Sequence, residues 1–334
     1  MRKKYRLPAK IAGSLVLPVI MFIIMLLLCL SRGITYFGTV SMWKTISVDI
    51  AVSVTCAYGI GLQFKNGRFD FSGGAIMLLS AIIAGNVAKN CEADKIVLVV
   101  LSMVLCVALS LGVGALYAFG RLPIIIATIG IALLYEAITC IIYNGAGVKL
   151  VANTSLKTFS TYPVVLIPLA LSILVYAVYS YKTTSGKEGA ILANNQQAGV
   201  NIGINEVKNV MESYFVSGLL FGLATIIYAS TDTHTGSFTS LGTVSELFVN
   251  ILPVFIGLII ARFCGDTLGI LLGSLTICLM NFGLEAAFSA EIGSAVSTIC
   301  TGVFMLLVNV AGSRGSQLMA AVGKIFTGKK MSNG

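Results

Sequence analysis

Long apolar runs separated by short polar breaks make up most of the chain. Ile11–Leu30 is one unbroken apolar run. A helix of roughly 20 apolar residues is the length that spans a bilayer's hydrocarbon core. The same pattern predicts further spans at Thr45–Phe64, Gly73–Ala88, Ile96–Phe119, Ile124–Tyr143, Tyr162–Tyr179, Ser213–Ala229, Leu247–Ala261, Leu268–Leu284 and Ile292–Val310, ten in all. Gly73–Ala88 and Leu247–Ala261 are short for a crossing, and Pro253 and Gly257 interrupt the second. Short or Gly/Pro-interrupted spans in transporters mark broken helices near the substrate path. The longest polar-leaning break is Lys182–Met211, whose middle, Ala190–Asn201, predicts a short helix ended by Gly199 and Gly203.

Composition makes the membrane reading firm. Of 334 residues, 57% are hydrophobic and 10% are charged, against about a quarter charged in a soluble domain. The fold class is an all-α integral membrane protein. Its organisation is a basic N-terminus (1–10), a membrane domain (11–310) holding the polar loop 182–211, and a basic tail (311–334). The first run is too long for a signal-peptide core and reads as an uncleaved span.

The net charge of +9 raises nucleic acid as a partner, but no soluble domain exists to hold it. The positions of the charges point to topology instead. With ten spans and the N-terminus inside, every basic residue except Arg32, Lys44, Lys89, Lys95, Lys149 and Lys157 falls on the inner side. That bias places both termini and 182–211 in the cytoplasm and Ser230–Glu246 outside. A short helix on the inner face, joined to spans at both ends, is placed to receive force from a soluble partner. A plain solvated connection is the other reading.

Little in the chain suggests chemistry of its own. The eight cysteines form no C-x-x-C pair and read as structural thiols. The lone histidine, His234, has no second His for a metal cluster and lies outside the spans. No G-x-x-x-x-G-K-[ST] loop is present for ATP. Charges inside spans are costly and mark function by default. Asp49 sits near the outer end of the second span and reaches the interface by snorkelling. Glu136 is mid-span, so it is expected to face the bundle interior, near a pathway or a helix N-terminus. Glycines recur at small-residue spacing: Gly112 and Gly114, Gly218 and Gly222, then Gly265, Gly269 and Gly273. Such spacing lets helices pack closely.

Four segments, in order, resemble the permease subunits of bacterial ABC importers for simple sugars, the ribose-permease type. Gly67-Arg68-Phe69-Asp70-Phe71-Ser72-Gly73-Gly74 is similar to the family's G-x-I-D-L-S-V-G. Arg121-Leu122-Pro123-Ile124-Ile125-Ile126-Ala127-Thr128-Ile129-Gly130 is similar to R-L-P-P-F-I-A-T-L-G. Asn195-Gln196-Gln197-Ala198, then Gly203-Ile204-Asn205, is similar to N-E-x-A followed by G-I-N. The fourth runs from Gly242 and Glu246-Leu247 through Gly257, Gly265, Gly269 and Gly273 to Asn281 and Gly283-Leu284. The chain departs from the family at Glu136, where an Arg is usual, at Arg262-Phe263, which replaces a glycine pair, and at Ile124, which replaces a proline.

The resemblance implies a bundle with short or broken central helices and several partners. These are a second permease chain, cytoplasmic ATPase subunits, an extracytoplasmic solute-binding protein and the lipid bilayer of a bacterial inner membrane. It implies no cofactor in this chain, with ATP and Mg on the partner ATPase. Asn195, Gln196, Gln197, Ala198 and Gly203 would couple to the ATPase. Asp70, Ser72, Thr128, Glu136 and Asn281 would line the transport path. Gly74, Pro253, Gly257, Gly269 and Gly273 would serve helix packing or hinging. A nucleoside or other small polar cargo on the same fold stays open. An ion-coupled carrier would use Glu136 without a partner. A polytopic enzyme would need intramembrane His or paired carboxylates, which the chain lacks.

Overall fold

A computed structural model describes residues 7–288, 292–293, 295–304 and 306. Arg2–Arg6, part of the tenth run and the tail 311–334 lie outside the described residues. The helices are α1 (Leu7–Ser31), α2 (Val40–Lys65), α3 (Gly73–Lys89), α4 (Asp94–Gly120), α5 (Ile124–Ile141), α6 (Leu166–Lys182), α7 (Thr184–Asn194), α8 (Gln196–Asn201), α9 (Glu206–Thr231), α10 (Gly242–Cys264) and α11 (Asp266–Ala287). A further helix covers Ala295–Phe304. Two short strands, β1 (Val148–Lys149) and β2 (Thr233–His234), pair antiparallel, with Val148 buried against α3.

The first nine apolar runs coincide with helices, and the tenth is helical where it is described, but not all are full crossings. Among the described residues, seven helices are long and apolar enough to span a membrane, and α6 with α7, bent by 69°, makes an eighth if the pair is one broken span. The ten-span count is therefore approximate, with α3 and Ala295–Phe304 the short members.

Local chemistry sets several boundaries. Thr39 caps α2, its hydroxyl accepting from Met42 N at 3.2 Å. Arg121, in the left-handed region (φ 51°), ends α4, and Pro123 opens α5. The polar loop forms two helices rather than one over 190–201. Asn195 is extended and caps α8 by accepting from Ala198 N, so it breaks the run that helix propensity alone would continue.

The bundle is built around α2 and α9. Both are mostly enclosed, whereas α1 and α4 present much of their surface outward. One buried cluster joins α2, α9, α6 and the start of α3; another joins α1, α10, α11 and the Ala295–Phe304 helix. The spans α10 and α11 meet through small residues. A Cβ on Gly257 would lie 2.5 Å from Ile270 Cα, and one on Gly269 or Gly273 would strike the carbonyl of Gly257 or Pro253. The eighth span is not short: α10 runs unbroken through Pro253 for 23 residues. Close backbone contact with α11 on that side holds it where proline removes one internal hydrogen bond.

Between α2 and α3 the chain turns back into the bundle. Gly59 and Gly73 both pack on the ring of Phe221. Gly59 lies six residues before the end of α2, about 9 Å along its axis. The non-helical segment Asn66–Ser72 therefore climbs back to that depth before α3 begins.

Candidate functional site

Because α3 starts inside the bundle, its N-terminus meets that of α10. A Cβ on Gly74 would lie 2.5 Å from the carbonyl oxygen of Thr243. Only glycine permits this approach. Two carboxylates hold the two helix starts.

Asp70 Oδ1 accepts from Ser72 N at 2.8 Å and from Ser72 Oγ at 2.6 Å, fixing the turn into α3. Its Oδ2 and the Tyr214 hydroxyl are both buried without a hydrogen-bond partner among the described residues. Glu136 projects from α5 and is 2% exposed. Its Oε2 accepts from Leu241 N at 2.8 Å. Its Oε1 accepts from Thr243 N at 2.7 Å and Thr243 Oγ1 at 2.5 Å. Leu241, with φ 58°, offers α10 no side-chain cap of its own. Glu136 is thus the N-cap of α10, supplied from another helix, and the positive end of the helix dipole serves as its counter-charge.

The rest of that end of α5 clamps the loop before α10. Thr139 Oγ1 accepts from Ser237 N at 3.0 Å, and Cys140 Sγ donates to Ser237 O at 2.9 Å. A Cβ on Gly236 would press on Thr139 O at 2.8 Å. His234 stacks on Tyr228 with ring centroids 3.7 Å apart, and its Nε2 lies 2.7 Å from Tyr228 O. Burial there holds its basicity below the usual value.

A cavity of about 240 Å³ adjoins the two helix starts, lined by Gly73, Gly74, Phe221, Tyr228, Leu247 and Asn250 among others. Neither carboxylate lines it. The structure gathers Asp70, Ser72, Gly74 and Glu136 into this region. Thr128 lies on the same buried stripe of α5, eight residues before Glu136, with its hydroxyl bonded to Ile125 O. Asn281 belongs elsewhere: its Oδ1 accepts from Ser297 at 2.8 Å and Thr301 at 3.2 Å, tying α11 to the Ala295–Phe304 helix. Pro253, Gly257, Gly269 and Gly273 form the α10–α11 contact described above.

At the opposite end of α2, α7 and α8 fold into a compact pair. Leu192 is buried, and a Cβ on Gly199 would meet its Cδ2 at 2.8 Å. Asn195, Gln196, Gln197, Ala198 and Gly203 remain exposed. The Gln196 side chain bonds to Glu206, at the start of α9.

Beneath this pair lies a buried polar network that the motifs did not single out. Arg68, 4% exposed, donates through Nη1 to Ser213 Oγ and through Nη2 to Asn209 Oδ1, both at 2.8 Å. Asn209 Nδ2 donates to Ser185 O at 2.8 Å on α7. Gln63 Nε2 donates to Ser217 Oγ at 3.1 Å. One signal was available: Asn209, Ser213 and Ser217 stand four apart, a polar stripe on one face of an otherwise apolar helix.

Comparison with known proteins fits this architecture. Residues 42–310 match the family described as branched-chain amino acid transport system / permease component. The chain is 25% identical over 266 residues to the ribose import permease protein of Bacillus subtilis (strain 168), covering 78% of this chain and 80% of that one. It is 26% identical over 257 residues to the ribose import permease protein of Escherichia coli (strain K12), with 75% and 79% covered. It is 22% identical over 315 residues to the fructose import permease protein of Bifidobacterium longum (strain NCC 2705), with 87% and 89% covered. The chain belongs to the branched-chain amino acid transport system / permease component family, as a multi-pass permease of the ABC-importer type.

Proposed function

We propose that the protein is the membrane subunit of a bacterial inner-membrane importer that carries a monosaccharide into the cytoplasm. ATP is hydrolysed on separate subunits docked against the α7–α8 pair. A second permease chain completes the channel, and a solute-binding protein delivers cargo from the opposite face. The observation that carries the reading is the exposed, internally capped α8 in a chain whose relatives are named as sugar import permeases.

The Glu136 geometry supports ATP rather than protons as the driving force. Both of its oxygens are taken by donors at the start of α10, so the side chain serves as a helix cap. A proton-coupled carrier needs a carboxyl that reaches the transport path, and Glu136 does not line the cavity beside the helix starts. The cargo path runs beside the meeting point of α3 and α10, with Asp70 and Ser72 setting the position of the α3 start.

Reconstitution with the ATPase and binding protein, in vesicles supplied with ribose, galactose or fructose, tests this. ATP-dependent uptake is the expected result. Uptake driven by an ion gradient without ATP would overturn the reading. Substituting Ala198 by a bulky or charged residue should uncouple ATP hydrolysis from uptake. For topology, cysteine placed at the exposed Thr235 should react with an outside reagent and cysteine at the exposed Lys187 should not. Ser185 lies in the same loop but is buried, so it is a poor labelling site.

A further inference from the structure

The polar network around Arg68 joins the force-receiving loop to the segment that sets the start of α3. Arg68 lies in Asn66–Ser72, two residues before Asp70. Its guanidinium is bonded to Asn209 and Ser213 on α9. Asn209 in turn donates to the Ser185 backbone on α7 and to its hydroxyl at 3.1 Å. A second contact runs in parallel. α7 presses directly on the turn that leads into the segment: a Cβ on Gly67 would lie 2.9 Å from Ala193 Cα, and one on Gly189 would strike the Asn66 side chain. Asn66 Nδ2 reaches the Tyr179 hydroxyl at the end of α6, at 3.4 Å.

Two features argue against packing alone. Neither described ion pair involves Arg68; these are Lys65–Asp266 and Lys208–Glu212. A buried cation whose hydrogen bonds go to neutral oxygens, with the Glu206 carboxylate acting on it without forming an ion pair, is costly, and packing alone gives no reason to keep one. Its fork also joins two points one turn apart on α9, so the segment cannot slide along α9 without breaking both bonds.

We infer that Arg68 is a positioning residue for transport: it makes α7 and the Asn66–Ser72 segment move as one body, so that displacement of the loop shifts the start of α3. The inference rests on the importer reading above. Coupling of this kind needs an element with two arrangements that both sites bias. Here that element is the α3 start against α10, where Gly74 and Thr243 lie in contact.

The test uses the reconstituted importer with its ATPase and binding protein. Arg68→Gln should lower sugar transported per ATP hydrolysed by about tenfold, while hydrolysis itself and thermal unfolding of the purified complex stay near wild type. Asn209→Asp should act similarly. It keeps an acceptor for Arg68 but removes the donor to Ser185, so it breaks the chain on the loop side alone. Wild-type coupling ratios in both variants would overturn the inference. So would a Tm collapse in Arg68→Gln together with a normal ratio in Asn209→Asp, since that pattern marks a purely structural residue. Failure of the wild-type complex to use ATP at all would instead defeat the importer reading, which keeps the two apart.

Discussion

Two buried ions in this bundle are stabilised in opposite ways. Glu136, beside the loop that precedes α10, is held by backbone N–H groups and a hydroxyl at a helix N-terminus. Arg68, at the other end of α2, is held by side-chain oxygens of Asn209 and Ser213. Neither has an ion-pair partner among the described residues. Backbone donors are fixed in direction by the helix that carries them, so removing their acceptor strands them. A hydroxyl rotates and a carboxamide turns, so side-chain acceptors can find new partners. The cap end is accordingly built for rigidity, and the Arg68 end can move without unfolding.

The comparison breaks most readily at Glu136. Glu136→Leu should destabilise the purified protein by about 3 kcal/mol, because it strands two amides and a hydroxyl inside the bundle; thermal unfolding in detergent measures it. Glu136→Gln should lose less, since one carbonyl still serves Thr243, and it should keep most ATP-driven uptake. An equal loss in both variants would show that charge, not acceptor geometry, holds α10. Next is Gly74→Val, expected to cost about 2 kcal/mol by forcing α3 away from Thr243. It should reduce transport more than a change of equal cost at Gly257, which lies away from the helix starts.

Arg68→Met should cost only about 1 kcal/mol if its partners re-pair. A loss as large as that of Glu136→Leu would erase the contrast. Thr139→Val, which removes the acceptor for Ser237 N, should cost a similar 1 kcal/mol and loosen the loop before α10. The smallest effect concerns pH. Burial lowers the basicity of His234 below its ordinary value of 6.5, so folding favours the neutral ring. Its contribution is present above that value and lost as pH falls below it. The protection factors of the β1–β2 amides, taken relative to intrinsic exchange at each pH, should fall on acidification, and His234→Gln should remove that dependence.

Much of the membrane architecture could be read from residue order alone. Apolar run length is a local property, because each span satisfies its own backbone within one helix. The nine runs from Ile11–Leu30 to Leu268–Leu284 therefore coincided with helices, and the tenth did so where it is described. The four motifs are local strings too, and they carried the family. Local pattern also placed Glu136 in the bundle interior, near a pathway or a helix N-terminus, since a charge in a span has few other places to go.

Residue order did not reveal which helix N-terminus Glu136 would cap, because Leu241 and Thr243 lie more than a hundred residues away in the chain. It did not separate Asn281, bonded to Ser297 and Thr301, from the residues near Asp70. It assigned Arg68 to an inner loop by counting charges, whereas the turn at Asn66–Gly67 carries it back into the bundle. Those outcomes depend on long-range hydrogen bonds and on glycine contacts as close as Gly74 with Thr243. Such contacts exist only once helices have packed, and no window along the chain contains both partners.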